Sequence, residues 1–230
     1  MARAAFETSA TFQDLWQFLG ESGCAVCRQE AQSDRRYFDT LLAENVTSPA
    51  TEARLRASGG FCRRHLATLL ARREAMATAI LYRSLLLDAQ RQVAAWRAQR
   101  TRRAGPGMQP ARPAASCPAC EAEAAGGRRA AEVLAAGLNS GVVRERWQAS
   151  QGLCWPHFLS VRPLCRAGRE VLEQIQSERL GALAADIEEL ISSFDYRNES
   201  GRSEQAETAW RRLAEVMAGR VLGGRPVGGG

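Results

Sequence analysis

Apolar residues in this chain recur at three- and four-residue spacing from end to end. No stretch alternates with period two between turns. An all-α protein with few or no strands is the expectation. Thr11 to Gly20 reads as a short amphipathic helix, with Phe12, Leu15, Trp16 and Leu19 on one face. A second helix runs from Arg28 to Glu44 with Phe38, Leu41 and Leu42 inward. Ser48-Pro49 places a cap and a first-turn proline before a third helix, which Gly59-Gly60 ends. Leu66, Leu69, Leu70, Ala77, Ile80 and Leu81 then carry one long helix from Cys62 to about Arg100, with no Gly or Pro inside it.

The second half follows a similar plan. A helix after Cys120 contains Val133, Leu134 and Leu138, and Asn139, Ser140 and Gly141 break it. A short helix carries Trp147. After Pro163 a second long helix holds Leu172, Ile175, Leu183, Ile187, Leu190 and Phe194. A final helix spans Glu204 to Met217, with Trp210, Leu213 and Met217 as its apolar face. Residues 105–116 hold Gly105, Pro106, Gly107, Pro110 and Pro113 among Arg and Ala, the composition of a linker. The expected organisation is therefore a first helical repeat over 1–104, a linker over 105–116, a second repeat with the terminal helix over 117–218, and a disordered tail over 219–230. The two long helices are expected to pack together and build a shared core.

Composition narrows this little. Apolar residues are 45% and charged residues 24% of 230, as in a globular protein. All 31 basic residues are Arg, so no lysine nucleophile or Schiff base is available. Before Cys117 there are 17 Arg against 10 acids; from Cys117 onward, 14 against 15. A basic first half favours an anionic partner, although arginine that merely solvates long helices is the simpler reading. Met1 to Leu19 has no basic leader before an apolar core, and no apolar run approaches a membrane span. A cytoplasmic location without membrane contact is expected, where thiols stay reduced.

The cysteines change the picture. Six of the 7, and both histidines, fall in four short motifs: Cys24-x-x-Cys27, Cys62-x-x-His65, Cys117-x-x-Cys120 and Cys154-x-x-His157. Cys27 to Cys62 is 35 positions and Cys120 to Cys154 is 34; Gly60 then aligns with Gly152, Ser58 with Ser150 and Leu55 with Trp147. An internal duplication is the simplest account. A Cys-x-x-Cys turn brings two sulfurs to one ion. A Cys-x-x-His at a helix start puts both ligands on one face, where the positive helix end favours thiolate. Two Cys3His sites are expected, one per half: Cys24, Cys27, Cys62 and His65, then Cys117, Cys120, Cys154 and His157. Closed four-ligand sites of this type are typically structural Zn²⁺, two ions in all, with no open position for a catalytic water. Arg28, Arg63 and Arg64 flank the first set, Glu121 and Trp155 the second.

An iron–sulfur cluster with Cys3His ligation has the same spacing. A dithiol redox switch would leave the Cys-x-x-His motifs unexplained. Cys165 has Arg73 as its repeat counterpart and reads as an ordinary buried thiol. Arg97, Arg100, Arg102 and Arg103, near Trp96, are candidates to contact an anion such as a phosphate backbone, although a solvated helix end running into a basic linker is the simpler reading. No nucleotide loop, nucleophile motif or spare histidine is present, so an enzyme is not the leading expectation.

The doubled C-x-x-C…G-[FL]-C-x-x-H plan, with Phe194-Asp195-Tyr196-Arg197 and Thr208-Ala209-Trp210-Arg211-Arg212 near the end, resembles an uncharacterised bacterial helical family of unknown function. The resemblance implies two metal-binding motifs and no activity. Three classes of function remain: a non-enzymatic interaction or regulatory protein with an unidentified protein partner, an iron–sulfur or thiol redox sensor, and a nucleic-acid-binding regulator.

Overall fold

In the computed structural model, residues 9–100, 115–139, 141–195 and 202–219 are described. Among them the chain is helical without strands. The helices are α1 (Ala10–Leu19), α2 (Ala25–Thr40), α3 (Pro49–Ser58), α4 (Arg63–Ala71), α5 (Ala75–Arg100), α6 (Pro118–Gly137), α7 (Gly141–Gln148), α8 (Trp155–Val161), α9 (Arg169–Ser192) and α10 (Glu204–Ala218). A π-helical turn, Leu41–Asn45, extends α2.

The residues form two compact units whose division differs from the two sequence halves. A terminal unit combines Met1–Gln32 with Ala125–Gly230, and a central unit is Ser33–Ala124. The boundaries fall inside α2 and α6. Each unit has its own core, so the expected shared core is replaced by two. The terminal core gathers Leu15 and Leu19 from α1, Val26 from α2, Leu134 from α6, Trp147 from α7, Phe158 from α8 and Leu172 from α9. The central core gathers Phe38, Leu41, Leu55, Phe61, Leu69 and Leu81. The long helices α5 and α9 belong to different units.

The expected single helix from Cys62 to Arg100 is broken. α4 ends at Ala71, and Arg73 takes a left-handed φ of 59° before α5 begins. A left-handed turn at a residue with a Cβ costs about 1–2 kcal/mol. Buried Leu69 and Leu81 lie on opposite sides of the turn in one core, and Arg72 is held by Asp39. Packing on both flanks outweighs the local preference that the periodicity expressed.

Two turns lead into the Cys-x-x-His motifs, and they are built alike. Ser58 donates to the Leu55 carbonyl and Ser150 to that of Trp147. Gly60 and Gly152 follow with φ of 96° and 82°, a region that favours glycine. The next amide donates to a side chain of the following long helix: Phe61 to the Tyr82 hydroxyl, Leu153 to Gln176 Oε1. These contacts hold Cys62 and Cys154 at the N-caps of α4 and α8. Of the expected linker, Ala115 and Ser116 are described, and the Ala115 amide donates to the Ala57 carbonyl. The rest of the linker lies outside the described residues. Gly219, the first residue of the expected tail, is buried; residues 220–230 lie outside.

Trp147 is fully buried. Replacing it with alanine is expected to cost about 3–5 kcal/mol of stability, whereas the exposed Leu159→Ala should stay within about 0.5 kcal/mol. Denaturant titration followed by circular dichroism checks both.

Candidate metal centres

All eight candidate ligands gather into two clusters, but not by halves. Cys24 and Cys27 meet Cys154 and His157; Cys62 and His65 meet Cys117 and Cys120. The expected grouping of Cys24, Cys27, Cys62 and His65 in one site, and of Cys117, Cys120, Cys154 and His157 in the other, is corrected. Each cysteine pair uses the Cys-x-x-His of the other half. The reason is helix length. α2 holds Cys27 in its first turn and carries the chain about 20 Å beyond it to Thr40. The 10-residue α3 covers about 15 Å, less than the return to Cys27 needs.

The terminal cage lies wholly in the terminal unit. His157 Nδ1 is 3.1 Å from Cys154 Sγ, 3.2 Å from Cys27 Sγ and 3.5 Å from Cys24 Sγ; the Cys27 and Cys154 sulfurs are 3.6 Å apart. The Gly23 amide donates to Gln151 Oε1 at 2.8 Å, joining the segments that carry the two motifs. The central cage lies in the central unit. His65 Nδ1 is 3.3 Å from the Cys62 and Cys120 sulfurs and 3.4 Å from that of Cys117; Cys62 and Cys120 Sγ are 3.7 Å apart. Arg54, from α3, donates to Glu121 and ties the start of α6 beside Cys62.

In each cluster the ligand atoms all lie within 4.8 Å of one another. A tetrahedron with edges of about 3.7 Å has its centre about 2.3 Å from each corner, the length of a zinc–sulfur bond. The clusters therefore have the size of a cage around a single ion.

The far side of each imidazole supports this reading. His157 Nε2 is 3.1 Å from Glu30 Oε1. His65 Nε2 is 3.2 Å from Asp34 Oδ1, out of hydrogen-bond alignment, and 3.7 Å from Glu123 Oε2. A metal-bound imidazole commonly gives its other N–H to a carboxylate, which fixes the tautomer and strengthens the ligand. Glu123 is held in turn by Arg64. These carboxylates were not among the residues read from sequence. The signal was present: both cysteine pairs extend to C-x-x-C-x-x-E, at Glu30 and Glu123, one helical turn beyond the second cysteine.

The protonation equilibria show what the cages lack without an ion. Burial alone would push the His157 pKa down, yet Cys154, Cys24, Cys27 and Glu30 together drive it far above the ordinary range. Burial also works against His65⁺, but Asp34 and Cys117 raise it to about 9. Burial raises the Cys62 thiol, and its hydrogen bonds from the His65 backbone and the neighbouring thiols bring it down to about 7. Burial and adjacent Cys62 push Cys120 up to about 12. A crowded set of anionic ligands calls for a positive charge at its centre, supplied by protons or by a metal.

The surroundings differ. The exchange brings Arg63, Arg64 and Glu121 to the central cage and leaves Arg28 and Trp155 at the terminal one. A cleft of about 660 Å³ opens beside the terminal cage, lined by Cys24, Cys27, Cys154, Arg179 and Leu183. Cys165 is fully buried and its thiol is pushed up by burial, in keeping with an inert core position. Among the anion-contact candidates, Arg97 is exposed on α5; the Arg100 side chain, Arg102 and Arg103 lie outside the described residues. No helix among the described residues is long and apolar enough to cross a membrane.

This chain belongs to the family described as Family of unknown function (DUF6062), whose model matches residues 14–222 and so includes both cages. No curated protein and no solved structure matches it.

Two measurements follow from this geometry. Cys62→Ser should expose Cys117 and Cys120 to alkylation while Cys24 and Cys27 stay protected, read by mass spectrometry; pairing within halves gives the opposite pattern. Metal uptake should release protons, because His65 and His157 are held protonated in the metal-free chain. Affinity then rises with pH. In the metal-free chain the His65 contribution to stability has the other sign: it is complete below pH 6.5 and lost as pH rises through about 9. Thermal melts of loaded and chelated protein across this window check the signs.

Proposed function

We propose that the chain is a zinc protein: two Zn²⁺ ions, one per cage, act as structural scaffolds in a non-enzymatic interaction or regulatory protein of the reducing cytoplasm. The observation that carries this is the closed four-ligand geometry. Three sulfurs and one imidazole nitrogen surround each centre, leaving no position for a substrate or a catalytic water. The size of each cage supports one ion over an iron–sulfur cluster, whose several irons need their ligands further apart. With three thiolates each loaded cage carries a net charge of −1, which the nearby arginines Arg64 and Arg179 offset.

The matched turns before Cys62 and Cys154, and the doubled C-x-x-C-x-x-E, support an internal duplication in which the halves have exchanged cysteine pairs. The ions then hold together segments far apart in the chain, which supplies rigidity that short helices such as α4 and α8 lack alone.

Elemental analysis with a visible spectrum of freshly purified protein tests the reading. Two zinc ions per colourless chain are expected, with loss of helical circular dichroism on chelation. A coloured, iron-containing protein, or full helicity after complete metal removal, would overturn it.

A further inference from the structure

The terminal cage has one neighbour that is fastened differently from the rest of its unit. α10 packs on α9 and α8, and its C-cap, Gly219, ends against the cage. Gly219 is buried, and a Cβ there would stand 3.5 Å from Cys154 Sγ and 3.8 Å from Cys27 Sγ. Its φ of 77° and ψ of 171° lie in a region essentially reserved for glycine. Glu215 and Val216, one turn earlier, line the cleft that Cys24, Cys27 and Cys154 also line. With α10 in place, Cys27 is 4% and Cys154 2% exposed.

Little holds this helix down. Among the described residues, none of α10 belongs to the terminal core. Its buried residues are Ala206 and Ala209, whereas Trp210, Leu213 and Met217 are exposed. An alanine methyl contributes far less on burial than the Leu and Trp side chains that hold α1, α6 and α7. The polar ties run to α9 at the border of the contact. Arg212, 41% exposed, pairs with Asp186, and the Ser203 amide donates to exposed Glu189. Solvated ties of this kind hold weakly.

We infer that α10 is a lid on the terminal cage. It lifts from α8 and α9 while the core stays folded, and lifting takes Gly219 off the Cys27 and Cys154 sulfurs. The ion in that cage exchanges with chelators through the lifted form. Opening one weakly buried element costs less than unfolding the unit, so it is the faster route. The inference rests on the reading of the cluster as a metal cage and adds a gate to it.

The test is alkylation of the full zinc-loaded chain by iodoacetamide in excess chelator, followed cysteine by cysteine with mass spectrometry. Two variants loosen the lid at different points. Gly219→Ala puts a Cβ into a conformation that only the docked end requires. Ala209→Glu places an unpaired carboxylate on the buried face of α10, ten residues before the glycine. Each should raise the labelling rate of Cys27 and Cys154 about tenfold. Cys165 is fully buried in the same core and reports whether the unit opens as a whole; it should stay unlabelled. Cys62, Cys117 and Cys120, in the other unit, should keep their wild-type rates. In the wild type, α10 amides should exchange with deuterium before those of α8 and α9. Unchanged rates at Cys27 and Cys154, Cys165 labelled in step with them, or α10 exchanging no faster than α9 would overturn the inference. A chain that takes up no zinc would end the metal reading and this inference with it. Two zinc ions per chain, with labelling unmoved by either variant, would end the inference alone.

Discussion

Three thiolates crowded with an imidazole within 4.8 Å of one another repel each other unless a positive charge, from protons or a metal, lies between them. That repulsion is the constraint the rest of the structure has to meet. Helix ends at Cys62 and Cys154, glycine turns at Gly60 and Gly152, and side-chain contacts from Tyr82 and Gln176 all serve to place sulfurs where a single ion can hold them. The carboxylates behind the imidazoles finish the arrangement. Glu30 accepts the Nε2–H of His157, Asp34 lies 3.2 Å from Nε2 of His65, and both rings turn Nδ1 toward the sulfurs.

The pairing across halves has an energetic meaning. The terminal cage joins Cys27 to Cys154, 127 residues apart, and the central cage joins Cys62 to Cys120 across 58. Closing a loop of 127 rather than 35 residues costs about 1 kcal/mol more in chain entropy. Core packing supplies the offset: Leu15, Val26, Leu134 and Trp147 surround the terminal cage's supports, and Phe38, Phe61 and Leu69 those of the central one. Each cage lies inside one unit and each unit has one core. An ion held in either cage would bridge segments far apart in the chain.

Exchange also redistributes charge. Pairing within halves would have collected Arg28, Arg63 and Arg64 around one anionic site and left the other with Glu121. As built, the central cage has Arg64 bonded to Glu123 beside Asp34, while the terminal cage opens at its side on a cleft that Arg179 also lines. The two centres share donor atoms and differ in access and field.

Much was legible in the residues themselves. Period-3.6 patterning located most helices, because a helix that buries one face must repeat its apolar residues at that spacing. The eight ligands were legible because the spacing C-x-x-C and C-x-x-H is dictated by the reach of one turn around one ion. Even the carboxylates had a trace in the doubled C-x-x-C-x-x-E. What sequence did not decide was which motif meets which: the four motifs have the same local spacing under either pairing, and only helix lengths in three dimensions separate them. The break at Arg73 was equally silent, since no Gly or Pro marks it and packing of Leu69 and Leu81 imposes it. Local chemistry is written along the chain; the choice among partners belongs to the tertiary structure, because it rests on distances that helices set and spacing does not.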